Sequence, residues 1–145
     1  MIALRVALQY GLGVILLTTG LGKFLDLQGF IAIMETYRLT PMQLNPPLAV
    51  LLVLCELKIA ESLLRGRRLR AAAVASTVLH ACFTAVALTT LVRGIKVDNC
   101  GCFGVFFARP LTWVTFAEDF ALLSASAVLV GILTKSAIRA GSESN

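Results

Sequence analysis

Charge is what this chain has least of. Asp, Glu, Lys and Arg make up 14% of its 145 residues, against roughly a quarter in an average soluble domain. With 58% hydrophobic residues and a mean hydropathy of +0.87, that scarcity excludes an ordinary water-soluble domain, and the abundance of Leu, Val, Ile and Phe excludes a disordered chain. There is one histidine and there are four cysteines, too few ligands for a self-contained zinc site, which needs a second Cys or His pair. The formal charge of +5 sits in short clusters between apolar runs rather than along one polar face, so nucleic acid is not the partner it indicates. No tandem repeat and no low-complexity stretch occurs. The partner that remains is the lipid bilayer.

A helix that crosses a bilayer needs about 20 mostly apolar residues. Four runs qualify: about Ala3 to Phe24, Pro47 to Leu64, Ala71 to Val92 and Leu111 to Leu133. The first ends in Thr18-Thr19-Gly20-Leu21-Gly22-Lys23, without a small-x-small cleavage pattern, and reads as a retained helix rather than a signal peptide. Between the first two runs, Phe30, Ile33, Met34 and Tyr37 recur at helical spacing, which predicts a short helix at the membrane interface. Pro41, Pro46 and Pro47 then stop it and start the next span. The expected fold is therefore all-α: a multi-pass membrane protein, one four-helix bundle over residues 1–139, with Ala140 to Asn145 as a disordered cytoplasmic tail. Gly13 and Gly20, and Ala117, Ala121 and Ala125, are the small residues expected at helix contacts. Monomer and homo-oligomer are both consistent with this pattern.

Basic residues near helix ends resist translocation. With the N-terminus inside, Arg5, Arg65, Arg67, Arg68, Arg70, Lys135 and Arg139 lie on the inner side and Lys23, Arg38, Arg93, Lys96 and Arg109 on the outer, seven against five. The short dense loop from Arg65 to Arg70 dominates. Both termini are therefore expected in the cytoplasm and the loop around Cys100 outside.

That loop, Val97-Asp98-Asn99-Cys100-Gly101-Cys102-Phe103-Gly104, is the richest in chemistry. A Cys-x-Cys ring closes only under strain, which makes the bond labile and oxidising rather than a staple, and Gly101 permits backbone angles that other residues resist. Arg93, Lys96 and Arg109 flank the thiols and favour thiolate, while Asp98 opposes them. The loop admits three readings: a redox pair, two independent thiols, or half of a metal site completed by a partner. The shortage of further ligands counts against the metal.

Ionisable residues inside spans are costly and suggest function. At 1.5 Å per residue, Glu56 lies about 14 Å, His80 about 18 Å and Glu118 about 10 Å from the outer ends of their helices. They form a candidate polar interior, serving either as a proton relay or only as a network that fixes helix register. Lys58 and Glu61, at i, i+3, neutralise each other. Cys55 and Cys82 reach similar depths but read as inert buried thiols. Arg109 and Trp113 read as interfacial anchors.

Several of these pieces together resemble one family. Gly20-Leu21-Gly22-Lys23, Tyr37-Arg38-Leu39 followed by Pro41, Glu56, and above all Cys100-Gly101-Cys102-Phe103-Gly104 resemble the MauE family of methylamine utilisation proteins and the wider DoxX-like group of small four-helix membrane proteins. The resemblance implies a bacterial inner-membrane protein that supports maturation of periplasmic redox enzymes beside a thioredoxin-like partner. It implies Cys100 and Cys102 as the redox pair, with Gly101, Phe103 and Gly104 shaping their loop. The bundle is also similar to thiol-oxidising membrane proteins of the DsbB and vitamin K epoxide reductase type. Those carry a further Cys pair and a quinone, whereas this chain has one loop pair, so no cofactor is firmly implied and the quinone stands without that support.

Overall fold

The computed structural model describes residues 2–142, with side-chain surroundings for residues 2–138. The described residues are helical and contain no strand. Helix α1 spans Ile2–Leu25, α2 Leu27–Thr36, α3 Asn45–Leu64, α4 Leu69–Val92 and α5 Trp113–Ser142, with a short 3-10 turn at Met42–Leu44. The tail expected from Ala140 is helical as far as Ser142, and its end lies outside the described residues.

Local chemistry sets the boundaries. Asp26 caps α2 by accepting a hydrogen bond from the Gly29 amide at 2.8 Å, satisfying a donor that the first turn leaves free. Pro46 and Pro47 occupy the first turn of α3, where a missing N–H costs nothing. Between α3 and α4 the chain reverses through Gly66 and Arg68, both with positive φ.

Three helices, α1, α4 and the stretch Trp113–Ile138 of α5, are long and apolar enough to cross a membrane. At 24, 24 and 26 residues each exceeds the ~30 Å hydrocarbon layer at 1.5 Å per residue. Helix α3 has the length, at 20 residues, but carries Glu56, Lys58 and Glu61 and falls short on apolarity. Three of the four expected spans thus meet both requirements, and the second, the shortest of the four, meets length alone. The physical reason is uneven: Glu56 is turned into the protein, whereas Lys58 and Glu61 pair on the exposed side at 2.8 Å.

The long helices close a ring in which α1 lies along α3, α4 along α5, and α3–α4 and α1–α5 complete the circuit; α2 packs on α3 and α1. Leu12, Leu16, Ala60, Leu63, Ala72, Ala73, Leu79, Leu129 and Leu133 form the core, while Val14, Leu51, Leu54, Val78, Phe120 and Val128 face outward. Lipid is as apolar as leucine, so close packing of small residues, not hydrophobicity, must hold such helices together. Gly13 and Gly20 meet that expectation: a Cβ at Gly13 would stand 2.8 Å from Leu64, and one at Gly20 3.0 Å from Leu57. In α5 the expectation holds for Ala125 alone, which is half-buried against the core. Ala117 and Ala121 face outward, and the inward stripe is Thr115, Leu122, Ser126, Leu129 and Leu133, because the one-helix pattern does not reveal which side meets α4.

Candidate functional site

The segment between α4 and α5 folds back across one end of the bundle. Its two arms pair through Leu111 N to Val97 O at 2.9 Å and Cys100 N to Arg109 O at 2.7 Å. Between them the chain turns sharply: Gly104 N donates to Gly101 O at 3.1 Å, and Gly101 N to the Asn99 side chain at 2.9 Å. Gly101 and Gly104 hold φ of 72° and 69°, the left-handed region that disfavours residues with a Cβ. The turn brings the half-buried Cys100 and Cys102 together, Sγ to Sγ 3.0 Å, about 1 Å from the length of a disulfide.

Three elements grip this turn. From α1, the backbone of Gly22 abuts Phe103 and Gly104 so closely that a Cβ on Gly22 or on Gly104 would fall 2.5 Å from the opposing carbonyl oxygen. One residue on, the Lys23 ammonium donates to Cys102 O at 3.0 Å and to both oxygens of Glu56 at 2.7 and 3.0 Å, so its three protons are all engaged. Lys23 and Glu56 are 3% and 0% exposed, and the Phe30 and Phe83 rings stand 5.6 and 5.4 Å from the ammonium, within cation–π range. From α2, the Tyr37 hydroxyl donates to Cys100 O at 2.7 Å, and Phe30 and Ile33 pack beneath Gly101.

The two thiols are not equivalent. The hydrogen bond from Cys102 lowers the Cys100 thiol to about 7, against burial and with lesser help from Arg109. Sharing a proton with Cys100, and burial, push Cys102 up. Burial and the nearby thiols likewise keep the Tyr37 hydroxyl protonated. The pair therefore favours thiolate on Cys100 and the proton on Cys102.

Below the turn lies a cavity of about 530 Å³, walled by residues such as Leu16, Phe30, Leu52, Phe83 and Val86 and bordered by Lys23, Glu56, His80, Cys100, Cys102 and Asp119. Glu56 and His80 of the expected polar interior are there, both buried. Glu118 stands at the cavity's edge, its carboxylate engaged outside in a two-pronged pair with Arg109 at 2.9 Å. Its neighbour Asp119 is the half-buried carboxylate of α5. The pairing also gives Arg109 a role beyond the anchor expected of it; Trp113 is exposed. Cys55 and Cys82 make no sulfur–sulfur contact among the described residues, and Cys82 is exposed. Among the described residues no three His, Cys, Asp or Glu side chains gather as a metal site.

In the sequence Lys23 counted as an outer-side charge, Tyr37 as one face of a short helix, and both as parts of a resemblance; their contacts with the thiol turn were not legible. The signal for the first was an opposite charge in each of two neighbouring apolar runs, since intramembrane charges pair.

The fold and site together define an all-helical protein, with three helices fit to cross a membrane, that carries adjacent thiols over a cavity. The chain belongs to the methylamine utilisation protein MauE family, whose profile matches residues 1–133. It is similar to methylamine utilization protein MauE of Paracoccus denitrificans, with 25% identity over 127 residues covering 87% of this chain and 68% of the relative. No solved structure matches.

Proposed function

We propose that this protein is a thiol–disulfide exchanger of the bacterial inner membrane, whose Cys100–Cys102 pair acts on a thioredoxin-like partner in the periplasm and so supports maturation of a periplasmic redox enzyme of the methylamine dehydrogenase kind. The observation that carries this reading is the 3.0 Å approach of the two sulfurs on a turn tied down by Lys23 and Tyr37. Cys100 thiolate attacks a partner disulfide, giving a mixed disulfide and one partner thiol. Cys102 then displaces the second partner sulfur, leaving Cys100–Cys102 oxidised and the partner a dithiol; the relative potentials set the net direction.

In this reading α3 is the fourth span, its Glu56 masked by Lys23, and α2 lies at the outer interface. Both termini are cytoplasmic. The short dense Arg65–Arg70 loop supports that orientation, because basic residues near helix ends resist translocation.

The test is to alkylate free thiols in intact cells across a range of redox potentials, and to trap the partner on a Cys102→Ala variant. A reversible couple at a mildly oxidising potential and a mixed disulfide through Cys100 are expected. Thiols that stay reduced in an oxidising compartment, or full activity in the Cys100→Ser/Cys102→Ser variant, would refute exchange. The exposed Phe106 and Phe107 beside the thiols favour one second reading, a docking subunit without thiol chemistry, and a stable complex that survives removal of both thiols would establish it.

A further inference from the structure

The cavity below the thiols contains one polar group that thiol exchange leaves unused. His80 is 2% exposed, and its Nδ1 lies 2.8 Å from the Ser76 carbonyl oxygen. A carbonyl only accepts, so Nδ1 carries the proton and donates it. The hydroxyls of Ser76 and Ser126, 3.3 and 3.2 Å from the same nitrogen, close that side of the ring. The lone pair of the neutral imidazole is then on Nε2, which takes no hydrogen bond among the described residues while the ring borders the cavity. That nitrogen is open to the cavity, where a donor can reach it.

The surroundings narrow what that donor belongs to. At about 530 Å³ the space suits a small organic molecule. Its walls are mostly apolar and include Leu16, Phe83 and Val86 of helices fit to cross a membrane, so an occupant entering from lipid must itself be lipid-soluble. The same space reaches Cys100 and Cys102. Once oxidised or reduced by a protein, this pair must be reset by a two-electron reagent, and no second cysteine pair is in contact within the described residues to do it.

We infer that the cavity binds a lipid-soluble quinone–hydroquinone couple, with His80 Nε2 accepting a hydrogen bond from a ring hydroxyl and Cys100 and Cys102 exchanging electrons with the ring. The electron partner rests on the thiol-exchange reading; the binding site does not. In the oxidising direction the Cys102 S–H bond breaks and the S–S bond forms to the Cys100 thiolate. The two electrons, the Cys102 proton and one proton from water pass to the ring's two carbonyl oxygens, which become hydroxyls. The Nε2 lone pair attracts a hydroxyl and repels a carbonyl oxygen, so His80 favours the reduced ring. A preference of about tenfold raises the potential of the bound couple by about 30 mV for two electrons, which makes it a stronger acceptor for the thiols.

The experiment uses the full chain in lipid nanodiscs as Cys100→Ser/Cys102→Ser, so that no turnover intrudes, with decylubiquinone, decylubiquinol and the dimethyl ether of the latter as probes in equilibrium dialysis against protein-free discs. Saturable binding is expected, about tenfold tighter for the hydroquinone than for the quinone or the ether. His80→Leu should abolish that difference and His80→Gln, which keeps an acceptor, should restore part of it. Equal affinity for the hydroquinone and its ether, or no saturable binding, overturns the site without recourse to any His80 variant. The wild-type chain separates the two readings. Thiols that cycle with a protein disulfide while no probe binds overturn this inference and leave thiol exchange standing. His80-dependent binding with thiols that decylubiquinone never oxidises and decylubiquinol never reduces overturns the electron transfer and leaves the site.

Discussion

Replacing Lys23 by methionine removes a cation that lies 2.7 Å from Glu56 inside the bundle and leaves the carboxylate 0% exposed with no counter-charge. Breaking a buried pair from one side costs about 3–5 kcal/mol, whereas replacing both partners by apolar groups is often neutral or stabilising. The single variant should therefore lose about that much stability, and Lys23→Met/Glu56→Leu should return to within ~1 kcal/mol of the parent. The thiol turn should not follow. Lys23 also donates to Cys102 O at 3.0 Å, so both variants lose that tether, and the double variant should pair near-parental stability with faster alkylation of Cys102. Unfolding in detergent micelles, followed by circular dichroism, reads the first quantity, and the rate of maleimide labelling reads the second. A single variant as stable as the double would show that the ion pair is not buried as described. Unchanged labelling in a stable double variant would show that Lys23 does not hold the loop.

The rate of Cys100 alkylation should rise with pH about a midpoint near 7, below the ~8.5 of a free cysteine. Because the Cys102 hydrogen bond is the main cause, Cys102→Ala should move that midpoint up; an unchanged midpoint would refute the sharing of one proton. Gly104→Ala should cost about 1–2 kcal/mol in left-handed strain alone and more from the collision with Gly22, so a loop with parental labelling rates in that variant would refute the interlock. Tyr37→Phe removes one hydrogen bond to Cys100 O, worth about 1 kcal/mol; thiol labelling should quicken modestly with the helical content unchanged.

The helices were legible because their signals are local. Run length, proline in the first turn of α3, and the 3.6-residue recurrence of Phe30 and Ile33 each depend on a few neighbouring residues, and the boundaries fall within a few positions of those expected except at the end of α5, which runs to Ser142 rather than Leu133. What one helix cannot show is which neighbour it meets. Ala117 and Ala121 share the spacing of a contact stripe, yet α5 turns Ser126 and Leu129 inward, because Ser76 on α4 offers Ser126 a hydroxyl at 3.1 Å and alanine offers α4 nothing comparable. Partner choice decided the face, and partner choice is not written in the period.

The same limit separates the two halves of the site. Cys100, Gly101 and Cys102 were readable at once, since the chemistry of a Cys-Gly-Cys turn is contained in three consecutive residues. Lys23 and Tyr37 act on that turn from 79 and 63 residues away in the chain, and Glu56 acts through Lys23, 33 residues from it. Lys23 and Tyr37 look ordinary in place, a lysine closing an apolar helix and a tyrosine on a short amphipathic one; Glu56 stands out as a charge in a span, but its partner does not. A buried ammonium has three protons to satisfy, and here both carboxylate oxygens of one helix and the carbonyl of the thiol turn are what satisfy them. That requirement links the thiol loop to the bundle interior, so the charge in α3 that weakens it as an independent span is also the charge that holds Lys23 under the thiols.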